Sequence, residues 1–254
     1  QNQPPLDITL KKESKDSKIE WSKKLSAKLI SPSSIRLSPV ADVPSLAGYN
    51  EGEWWVQDCA AALPARLMGD IRGKQVIDLC AAPGGKTAQL AAAGAIVLAI
   101  DNNAKRIKRL SDNLSRLGLN AEIICSDGRN YVPDMLVDGV LLDAPCSATG
   151  TIRRRPDVLI GKTAKQILEL QALQIELCLA ASKWIKKGGT LVYATCSLQK
   201  QEGEEVIEEL ISRCNTNLIL DPISLSEADL FFPLNCDQKR VDYLRILPDQ
   251  LLKN

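Results

Sequence analysis

From Gly73 onward, short apolar runs alternate with longer amphipathic stretches. The apolar runs have the length of strands, and the stretches between them carry the helical spacing of apolar residues. Alternating strands and helices are joined by crossover connections, which produce a largely parallel sheet covered by helices, so this part of the chain predicts an α/β domain. The predicted strands are Gln75–Leu79, Ile96–Ile100, Ala121–Cys125, Gly139–Leu142, Thr190–Ala194 and Leu218–Leu220. The predicted helices are Thr87–Ala93, Ala104–Leu117, Thr163–Lys186 and Glu204–Cys214.

The N-terminal part has a different composition. The first fifty residues are polar and interrupted by prolines, with eight basic and five acidic side chains. At Gln57 the composition changes to an alanine-rich helical stretch that contains Pro64. We therefore expect a small appendage or linker over residues 1–56 and the main domain over residues 57–254. The surface of the appendage is either simply solvated or a binding face.

The charge balance and the apolar runs limit the partners and the compartment. Thirty-two basic residues face 31 acidic ones, so the net charge of +1 gives no bulk electrostatic argument for a nucleic-acid partner. No apolar run is long enough to cross a bilayer, and no segment resembles a signal peptide. These features predict a cytoplasmic protein without a membrane partner.

Histidine is absent and cysteine is frequent. A chain without histidine lacks the commonest metal ligand and the commonest general base, so catalysis has to use carboxylates, thiols, lysines or a cofactor. The eight cysteines include no Cys-x-x-Cys pair, and they stand in apolar segments. This placement favours buried, reduced thiols over disulfides.

Polar residues stand where the predicted strands end. In a parallel sheet, ligands bind beyond the carboxyl ends of the strands, so these positions are candidates for a site. They are Asp78 with the turn that follows it, Asp101, Asp127, Asp143 with Cys146, and Thr195 with Cys196.

The segment "DLCAAPGGKT", residues 78–87, is close to a phosphate-binding P-loop. Gly85, Lys86 and Thr87 match the end of that pattern, but Cys80 stands in place of its first glycine, which makes a nucleoside triphosphatase the weaker alternative. Asp101 follows Asp78 by 23 positions, the spacing at which a carboxylate binds the two ribose hydroxyls of a nucleoside. A helix N-cap is the alternative role for Asp101. A site that binds a nucleoside but no triphosphate fits S-adenosylmethionine as the ligand.

Three segments together resemble the signature motifs of the Sun-family RNA (cytosine-5) methyltransferases. They are "DLCAAPGGKT", "DAPCSATGTIRRRPD" and "YATCSLQKQEGEEV", and the segments "PPLDITLK" and "GEWWVQDCAA" resemble the ribosomal-RNA branch of that family. The resemblance implies a Rossmann-like class I methyltransferase with a mostly parallel seven-stranded sheet. It also implies S-adenosyl-L-methionine as donor, S-adenosylhomocysteine as product and no metal. The implied target is a cytosine in ribosomal RNA, specifically 16S RNA, and the appendage over residues 1–56 would bind RNA.

The resemblance also assigns the donor site. Residues 80–86 would wrap the methionine part of the donor: Cys80, Ala81, Ala82, Pro83, Gly84, Gly85 and Lys86. Asp101 would hold the ribose, and Asp143 would lie between donor and target base. Asp127 would sit beside the adenine, although an acid in the turn before Gly128 is an alternative.

Methylation at carbon 5 of cytosine needs a nucleophile at carbon 6, because the ring is otherwise too electron-poor. A thiolate suits this role, and Asp143 bonded at ring nitrogen 3 would stabilise the developing charge. Spacing alone does not decide between the two thiols, since DNA cytosine methyltransferases use a Pro-Cys nucleophile and so nominate Cys146. The Sun family uses its Thr-Cys motif, which nominates Cys196 as nucleophile and Cys146 as the group that assists release. The other six cysteines are expected to pack.

The run Arg153, Arg154 and Arg155 follows the Pro-Cys motif and predicts phosphate contacts to RNA, with a solvated loop as the alternative. The target base has to leave its stack, so a loop or partly unfolded ribosomal RNA is the expected partner. No DNA is expected, and a monomer is favoured although the sequence does not determine the oligomeric state. A degenerate methyltransferase fold that only binds RNA and a DNA cytosine-5 methyltransferase remain alternatives.

The chain departs from the family pattern at several places. Ala148 stands where glycine usually follows Pro-Cys-Ser, and Gly203 stands where asparagine is usual. The chain begins with Gln1, lacks the NusB-like N-terminal domain of the ribosomal branch, and stops before the family's Gly-Asp-Gly-Phe strand. We therefore expect a fragment with a truncated C-terminal strand.

Overall fold

The N-terminal part folds as a small antiparallel sheet. The computed structural model describes residues 4–31, 34–214, 218–224 and 240–246. The elements of this part are β1 (Leu6–Leu10), α1 (Lys15–Lys24), β2 (Lys28–Leu29), β3 (Ser34–Leu37) and β4 (Trp54–Val56). The strand order is β2-β3-β1-β4, with antiparallel pairs throughout. Its core consists of Ile8, Leu10, Trp21, Ile35, Leu37 and Trp54. The predicted appendage is therefore a folded unit with its own apolar core.

The second sheet is parallel and begins after a short helix that contains Pro64. Its elements and those around it are α2 (Cys59–Arg66), β5 (Gln75–Leu79), α3 (Gly85–Ala92), β6 (Ile96–Asp101), α4 (Ala104–Leu117), β7 (Glu122–Cys125), β8 (Val137–Asp143), α5 (Ala164–Ser182), β9 (Ile185–Ala194) and α6 (Glu204–Arg213). The strand order is β7-β6-β5-β8-β9, and every pair is parallel. This arrangement confirms the predicted Rossmann-like α/β fold. The order reverses between β5 and β8, the point at which such sheets bind ligands.

Two predicted elements are wrong in whole or in part. The segment Leu218–Leu220 forms no strand: Leu218 packs on the core, while Ile219 is exposed and Pro222 follows closely. A short apolar run does not by itself reveal whether a neighbouring strand accepts it. The helix predicted to reach Lys186 ends at Ser182, because Ile185 already pairs with Val137 of β8.

The predicted count of seven strands stays a prediction. Five strands form the parallel sheet among the described residues, whereas residues 215–217, 225–239 and 247–254 lie outside them. A separate antiparallel pair joins β10 (Ile223–Ser224) to β11 (Arg240–Val241). In the described part of the chain, every helix is too short or too polar to cross a bilayer.

The N-terminal sheet is docked on the end of α4. Arg116 donates from Nη1 to the carbonyl oxygens of Tyr49 at 2.6 Å and Trp54 at 3.2 Å, and its guanidinium lies 4.0 Å from the centre of the Tyr49 ring. Lys11 Nζ donates to the carbonyl of Leu117 at 2.5 Å. Trp55 adds an apolar contact, since its buried ring packs in the same cluster as Leu110 and the loop after β5. Polar and apolar contacts thus both fix this sheet against the parallel one.

Candidate active site

The carboxyl ends of four neighbouring strands bring the predicted site residues to one edge of the sheet. Asp143, the last residue of β8, pairs with Ala194, the last residue of β9. The loops that carry Cys146 and Cys196 therefore leave the sheet side by side. Leu79, at the end of β5, pairs with both adjoining strands, which places the following loop at the same edge.

The loop after β5 is built for close backbone approach. Gly84 has a φ of +100°, and a Cβ there would stand 3.0 Å from Leu110 Cγ, so the position requires glycine. Helix α3 then begins at Gly85 with no side-chain cap on its N-terminus. Burial raises the pKa of the Cys80 thiol to about 12, which disfavours a reactive thiolate at this position. The backbone of Cys80 adopts a φ of +63°.

Asp101 is hydrogen-bonded into the same loop. Its Oδ2 accepts from Ala82 N at 3.1 Å, and its Oδ1 accepts from Asn103 N at 3.0 Å. The capping role considered for Asp101 belongs instead to Asn103, whose side chain accepts from Lys105 N and Arg106 N. Arg106, which sequence reasoning missed, donates to the carbonyl of Ala82 and lies 3.5 Å from Asp101 Oδ2. Only the structure reveals this cation, since nothing marks it in an amphipathic helix.

Asp127 forms a turn and an ion pair. Its Oδ1 accepts from Arg129 N at 3.0 Å, and its Oδ2 accepts from Arg129 Nη2 at 2.6 Å. These bonds hold the pKa of the carboxyl below its usual range. The turn role is thus present in the structure, and the adenine contact stays a prediction.

Lys86 and Asp143 form a charge pair at the point where the strand order reverses. Lys86 Nζ lies 2.7 Å from Asp143 Oδ2, and the lysine side chain is much the more buried of the two. Behind them, Asp78 is fully buried, and its Oδ2 accepts from Thr87 Oγ1 at 2.5 Å. Burial raises the pKa of Asp78 to about 7. Its Oδ1 has no hydrogen-bond partner among the described residues.

The sulfur atoms of Cys146 and Cys196 lie 3.3 Å apart. The loops that carry them are in direct backbone contact, because Gly150 N donates to the carbonyl of Cys196 at 2.8 Å. A Cβ at Gly150 would come within 2.7 Å of that oxygen, so a larger residue would separate the loops. Cys196 is exposed, whereas Cys146 is partly buried.

The hydrogen bond between the two sulfurs shifts the pKa values of the two thiols in opposite directions. It lowers the pKa of Cys146 to about 7, with smaller contributions from the Thr195 hydroxyl and the amides of Ala148 and Cys196. The same bond raises the pKa of Cys196 above its usual range, since a charge on one sulfur disfavours a second one beside it. The pair therefore loses one proton near neutral pH and keeps the other, which can move between the two sulfurs.

The two departures from the family pattern have local explanations. Ala148 adopts a φ of +58°, a conformation that glycine occupies without strain. Gly203 precedes α6 and offers no side chain to cap it, and a Cβ at this position would meet only ordinary contacts beyond 3.5 Å. The chain therefore strains one position and leaves one helix end uncapped.

Glu202 is a site residue that sequence reasoning missed. It is fully buried and accepts hydrogen bonds from Ser147 and Ser197, the residues that follow the two cysteines. The signal in the sequence was the acid six positions after the Thr-Cys cysteine in "QEGEE". Its burial was not visible in a stretch so rich in charge.

The three arginines of the run differ in how far their guanidinium groups are available to a ligand. Arg154 pairs with Asp58, while Arg155 is largely exposed and lies 3.4 Å from Asp157. Arg153 has a guanidinium nitrogen that is buried without a partner among the described residues. The predicted phosphate contacts stay a prediction, in which Arg155 is the most accessible group.

The remaining cysteines behave in different ways. Cys59 and Cys178 are buried as predicted, and burial raises the pKa of both. Cys125 is exposed, so the packing prediction is wrong there: β7 is an edge strand and leaves its last residue in solvent. Cys236 lies outside the described residues.

One group of possible metal ligands occurs in the described part of the chain. It consists of Asp7, Asp58 and Cys59, whose ligand atoms lie within 4.8 Å of one another. Arg36 already binds the Asp7 carboxylate through two hydrogen bonds, which places a cation at this group. The expectation that the protein uses no metal stays a prediction.

Comparison with known proteins adds to this geometry. The chain is 28% identical to the protein of a structure titled "Crystal Structure of PH0851", with a TM-score of 0.78 over 88% of this chain and 53% of that one. A second structure, of a methyltransferase homolog protein from Pyrococcus horikoshii, is 29% identical with a TM-score of 0.71, covering 82% and 70% of the two chains. These likenesses agree with the class I methyltransferase fold.

The sequence relatives are more specific. Ribosomal RNA small subunit methyltransferase B of Proteus mirabilis (strain HI4320) is 44% identical over 186 residues, which cover 71% of this chain and 44% of that protein. The chain thus spans less than half the length of this curated relative. The model of the family described as "16S rRNA methyltransferase RsmB/F" matches residues 67–251. The chain therefore belongs to the RsmB/F family of 16S rRNA methyltransferases.

Proposed function

We propose that the chain transfers a methyl group from S-adenosylmethionine to carbon 5 of a cytosine in 16S ribosomal RNA, through a covalent cysteine–cytosine intermediate. The observation that carries this proposal is the thiol pair, with sulfurs 3.3 Å apart, at the sheet edge that also holds Asp101 and the Lys86–Asp143 pair. Membership of the RsmB/F family supports the same reaction class.

The residues at the edge fit the donor. The uncapped N-terminus of α3 offers backbone N–H groups and positive potential to a carboxylate. Asp101 ends β6, where a carboxylate binds ribose hydroxyls. Its side chain is only 2% exposed, so a ribose reaches it only after a neighbouring group shifts, and the half-exposed Arg106 is the flexible side chain beside it. The bound donor supplies the methyl group that bonds to carbon 5.

Each residue of the edge then has a defined task. The sulfur of Cys196 bonds to carbon 6 of the ring as a thiolate, and the Lys86–Asp143 pair provides a proton at ring nitrogen 3, where negative charge develops. Cys146 holds the remaining proton of the thiol pair during this attack and releases it to solvent before it acts as a base. After carbon 5 is methylated, the Cys146 thiolate accepts the proton of carbon 5, and ring nitrogen 3 returns its proton to the Lys86–Asp143 pair. The bond between Cys196 and carbon 6 then breaks, and its electron pair returns to sulfur. Exposure supports this division, since Cys196 is the more accessible of the two thiols.

RNA contacts are proposed beside this edge. Arg153, Arg154 and Arg155 follow the Cys146 loop directly, and the exposed Arg155 guanidinium suits a phosphate. The N-terminal unit over residues 1–56 is proposed as a second RNA contact through its eight basic side chains, five acidic side chains accompanying them in the first fifty residues and two more following at Glu51 and Glu53. A loop or partly unfolded RNA fits a site that needs an unstacked base.

The test combines mapping with binding. Mass-spectrometric mapping of 5-methylcytosine in 16S RNA should show one modified cytosine that disappears in cells lacking the protein. It should return with the wild-type gene and not with Cys196→Ala. Calorimetric titration of S-adenosylmethionine should show binding, and competition should favour RNA over DNA. Donor binding without any change in the modification would indicate an RNA-binding module, and a preference for DNA would indicate a DNA methyltransferase.

A further inference from the structure

One buried carboxylate joins the two cysteine loops. Glu202 Oε1 accepts from Ser147 N at 2.8 Å and from Gln174 Nε2 at 3.1 Å. Its Oε2 accepts from the hydroxyls of Ser147 and Ser197, the second at 2.6 Å. Both oxygens of a fully buried side chain are thus occupied by groups that hold the active-site loops.

The contacts reach the residues next to the sulfurs. Ser147 follows Cys146 and Ser197 follows Cys196, so each loop is fixed one residue away from its thiol. The two serine hydroxyls also lie 3.1 Å from each other. Because the loops leave different strands, their separation beyond the sheet depends on such cross-links.

Gln174 extends the network into the sheet's helical layer. It lies on α5 and donates from Nε2 both to Glu202 and to the carbonyl of Pro145, the latter at 2.8 Å. Pro145 precedes Cys146, so the Cys146 loop is held on both sides of its thiol. The whole cluster is anchored to a long helix rather than to another loop.

The hydrogen-bond partners of the Glu202 side chain are all donors. An amide N–H, a side-chain amide and two hydroxyls can all donate, and a carboxylate accepts from all four. No ion pair to Glu202 is found among the residues that the structure describes, so these hydrogen bonds stabilise the charge. Loss of such a group leaves buried donors unsatisfied, which destabilises the arrangement of the loops.

We propose that Glu202 is a positioning residue, which holds the sulfurs of Cys146 and Cys196 within hydrogen-bond distance of each other. The hydrogen bonds that its carboxylate accepts come from the neighbours of the two cysteines, so Glu202 acts on the sulfurs through Ser147 and Ser197. Its importance for catalysis rests on the proposed function, whereas its effect on the thiols does not.

The test is the pH profile of iodoacetamide alkylation, measured for each cysteine by peptide-resolved mass spectrometry. In the wild type, the first thiol of the pair should titrate with a midpoint at pH about 7. Glu202→Ala should move this midpoint upward by about one unit, toward the value of about 8.5 for a free thiol, because the sulfurs separate and lose their hydrogen bond. Glu202→Gln keeps the shape and one acceptor, so its shift should be smaller. The exposed Cys125 serves as an internal reference.

The direction of the shift separates the possible roles. If Glu202 acted only through its charge, its removal would lower the midpoint, because a nearby anion disfavours a thiolate. If it served only global stability, the midpoint of the folded protein would not change. Either result would overturn the proposal. Asp7→Ala is the matched control, since it also removes a buried carboxylate, and it should destabilise the protein without moving the midpoint.

Serine variants keep the test decisive if Glu202→Ala fails to fold. Ser197→Ala removes the only hydrogen bond between the Glu202 carboxylate and the Cys196 loop that the described residues show, whereas Ser147→Ala leaves the bond from Ser147 N. Ser197→Ala should therefore shift the midpoint more than Ser147→Ala, and equal or absent shifts would contradict the proposal. Methylation is measured in parallel. If Glu202→Ala shifts the midpoint but the wild-type protein does not methylate RNA, the proposed function is refuted and the positioning role of Glu202 is not.

Discussion

The sulfurs of Cys146 and Cys196 lie 3.3 Å apart, although fifty positions separate the two residues in the chain. Two adjacent strands deliver them to the same place, since Asp143 and Ala194 end these strands in register. The pair combines an exposed thiol with a partly buried one that loses its proton near neutral pH.

Removal of either thiol should give a different product. Cys196→Ala should abolish methylation and form no adduct, because no sulfur reaches carbon 6. Cys146→Ala should retain attack but lose release, so a protein–RNA adduct should accumulate on denaturing gels. Cys125→Ala, at an exposed thiol away from the pair, should behave as the wild type. A Cys146→Ala protein that turns over at full rate and traps nothing would refute this division.

The methylation rate should rise with pH, with a midpoint at pH about 7. Below this pH both thiols carry protons, and above it the pair holds one negative charge that can reside on Cys196. The measurement is the single-turnover rate constant between pH 5.5 and 9, which extends about 1.5 units below and about 2 units above the midpoint. In Cys146→Ala, the rate of adduct formation should have its midpoint at higher pH, since the remaining thiol lacks its partner. An unchanged midpoint would show that the partner does not set the acidity.

The arginine run should govern the salt dependence of RNA binding. Replacement of Arg153, Arg154 and Arg155 by alanine should reduce the slope of log Kd against log salt by about 0.7 for each RNA phosphate that the protein no longer neutralises. Arg155→Ala alone should account for much of the change, because Arg154 is already paired with Asp58. Lys187→Ala is the control and should leave the slope unchanged, because the exposed Lys187 stands near the amino end of β9, away from the carboxyl ends of the strands.

Arg116 should contribute strongly to stability. Arg116→Ala removes two hydrogen bonds to backbone carbonyls and the contact with the Tyr49 ring, which should lower the free energy of unfolding by about 2 kcal/mol. Arg116→Lys should not restore it, because an ammonium cannot reproduce the planar fork. Urea unfolding measures both, with Arg109→Ala on the exposed face of α4 as a near-neutral control. A near-neutral Arg116→Ala would show that the docking rests on the other contacts, those of Lys11 and Trp55.

Ala148→Gly should stabilise the fold. Ala148 has a φ of +58°, where an L side chain is strained by about 1–2 kcal/mol, and glycine removes that strain at some cost in chain entropy. A net gain of up to about 1 kcal/mol is expected from thermal or urea unfolding. The same substitution at Ala121, whose φ is not positive, should destabilise instead. Loss of stability at both positions would contradict the strain argument.

The sequence was most informative where an apolar run of strand length is followed directly by an acidic residue. The strand Gln75–Leu79 could be predicted, because a buried parallel strand is a short apolar run. The position of the acidic residues at one edge of the sheet could be predicted as well, because parallel strands bring their carboxyl ends together. The segment Leu218–Leu220 has the same apolar character but no strand to pair with among the described residues, and pairing partners are not visible in a single run.

Other parts of the site depend on contacts between distant segments. Glu202 looked like one more charge in an acidic stretch, and only the approach of Ser147 and Ser197 makes it a buried link. The N-terminal sheet was predicted only as a polar appendage, because its strands are short and separated by charged segments. Trp21 and Trp54, which fill its core, stand far apart in the chain.

Trp55 gives that sheet a share in the proposed donor site. Its buried ring belongs to the same apolar cluster as Ala81 and Ala82 of the loop after β5, and its Nε1 donates at 2.8 Å to Gln57, which in turn donates to Gln89 of α3. The residues that support this loop therefore come both from the N-terminal unit, which ends at residue 56, and from the domain that follows it. A chimera that takes the parallel sheet from a relative therefore also needs strand β4 of that relative, which carries Trp55. A graft that begins at Gln57 would separate the loop after β5 from the tryptophan of its apolar cluster.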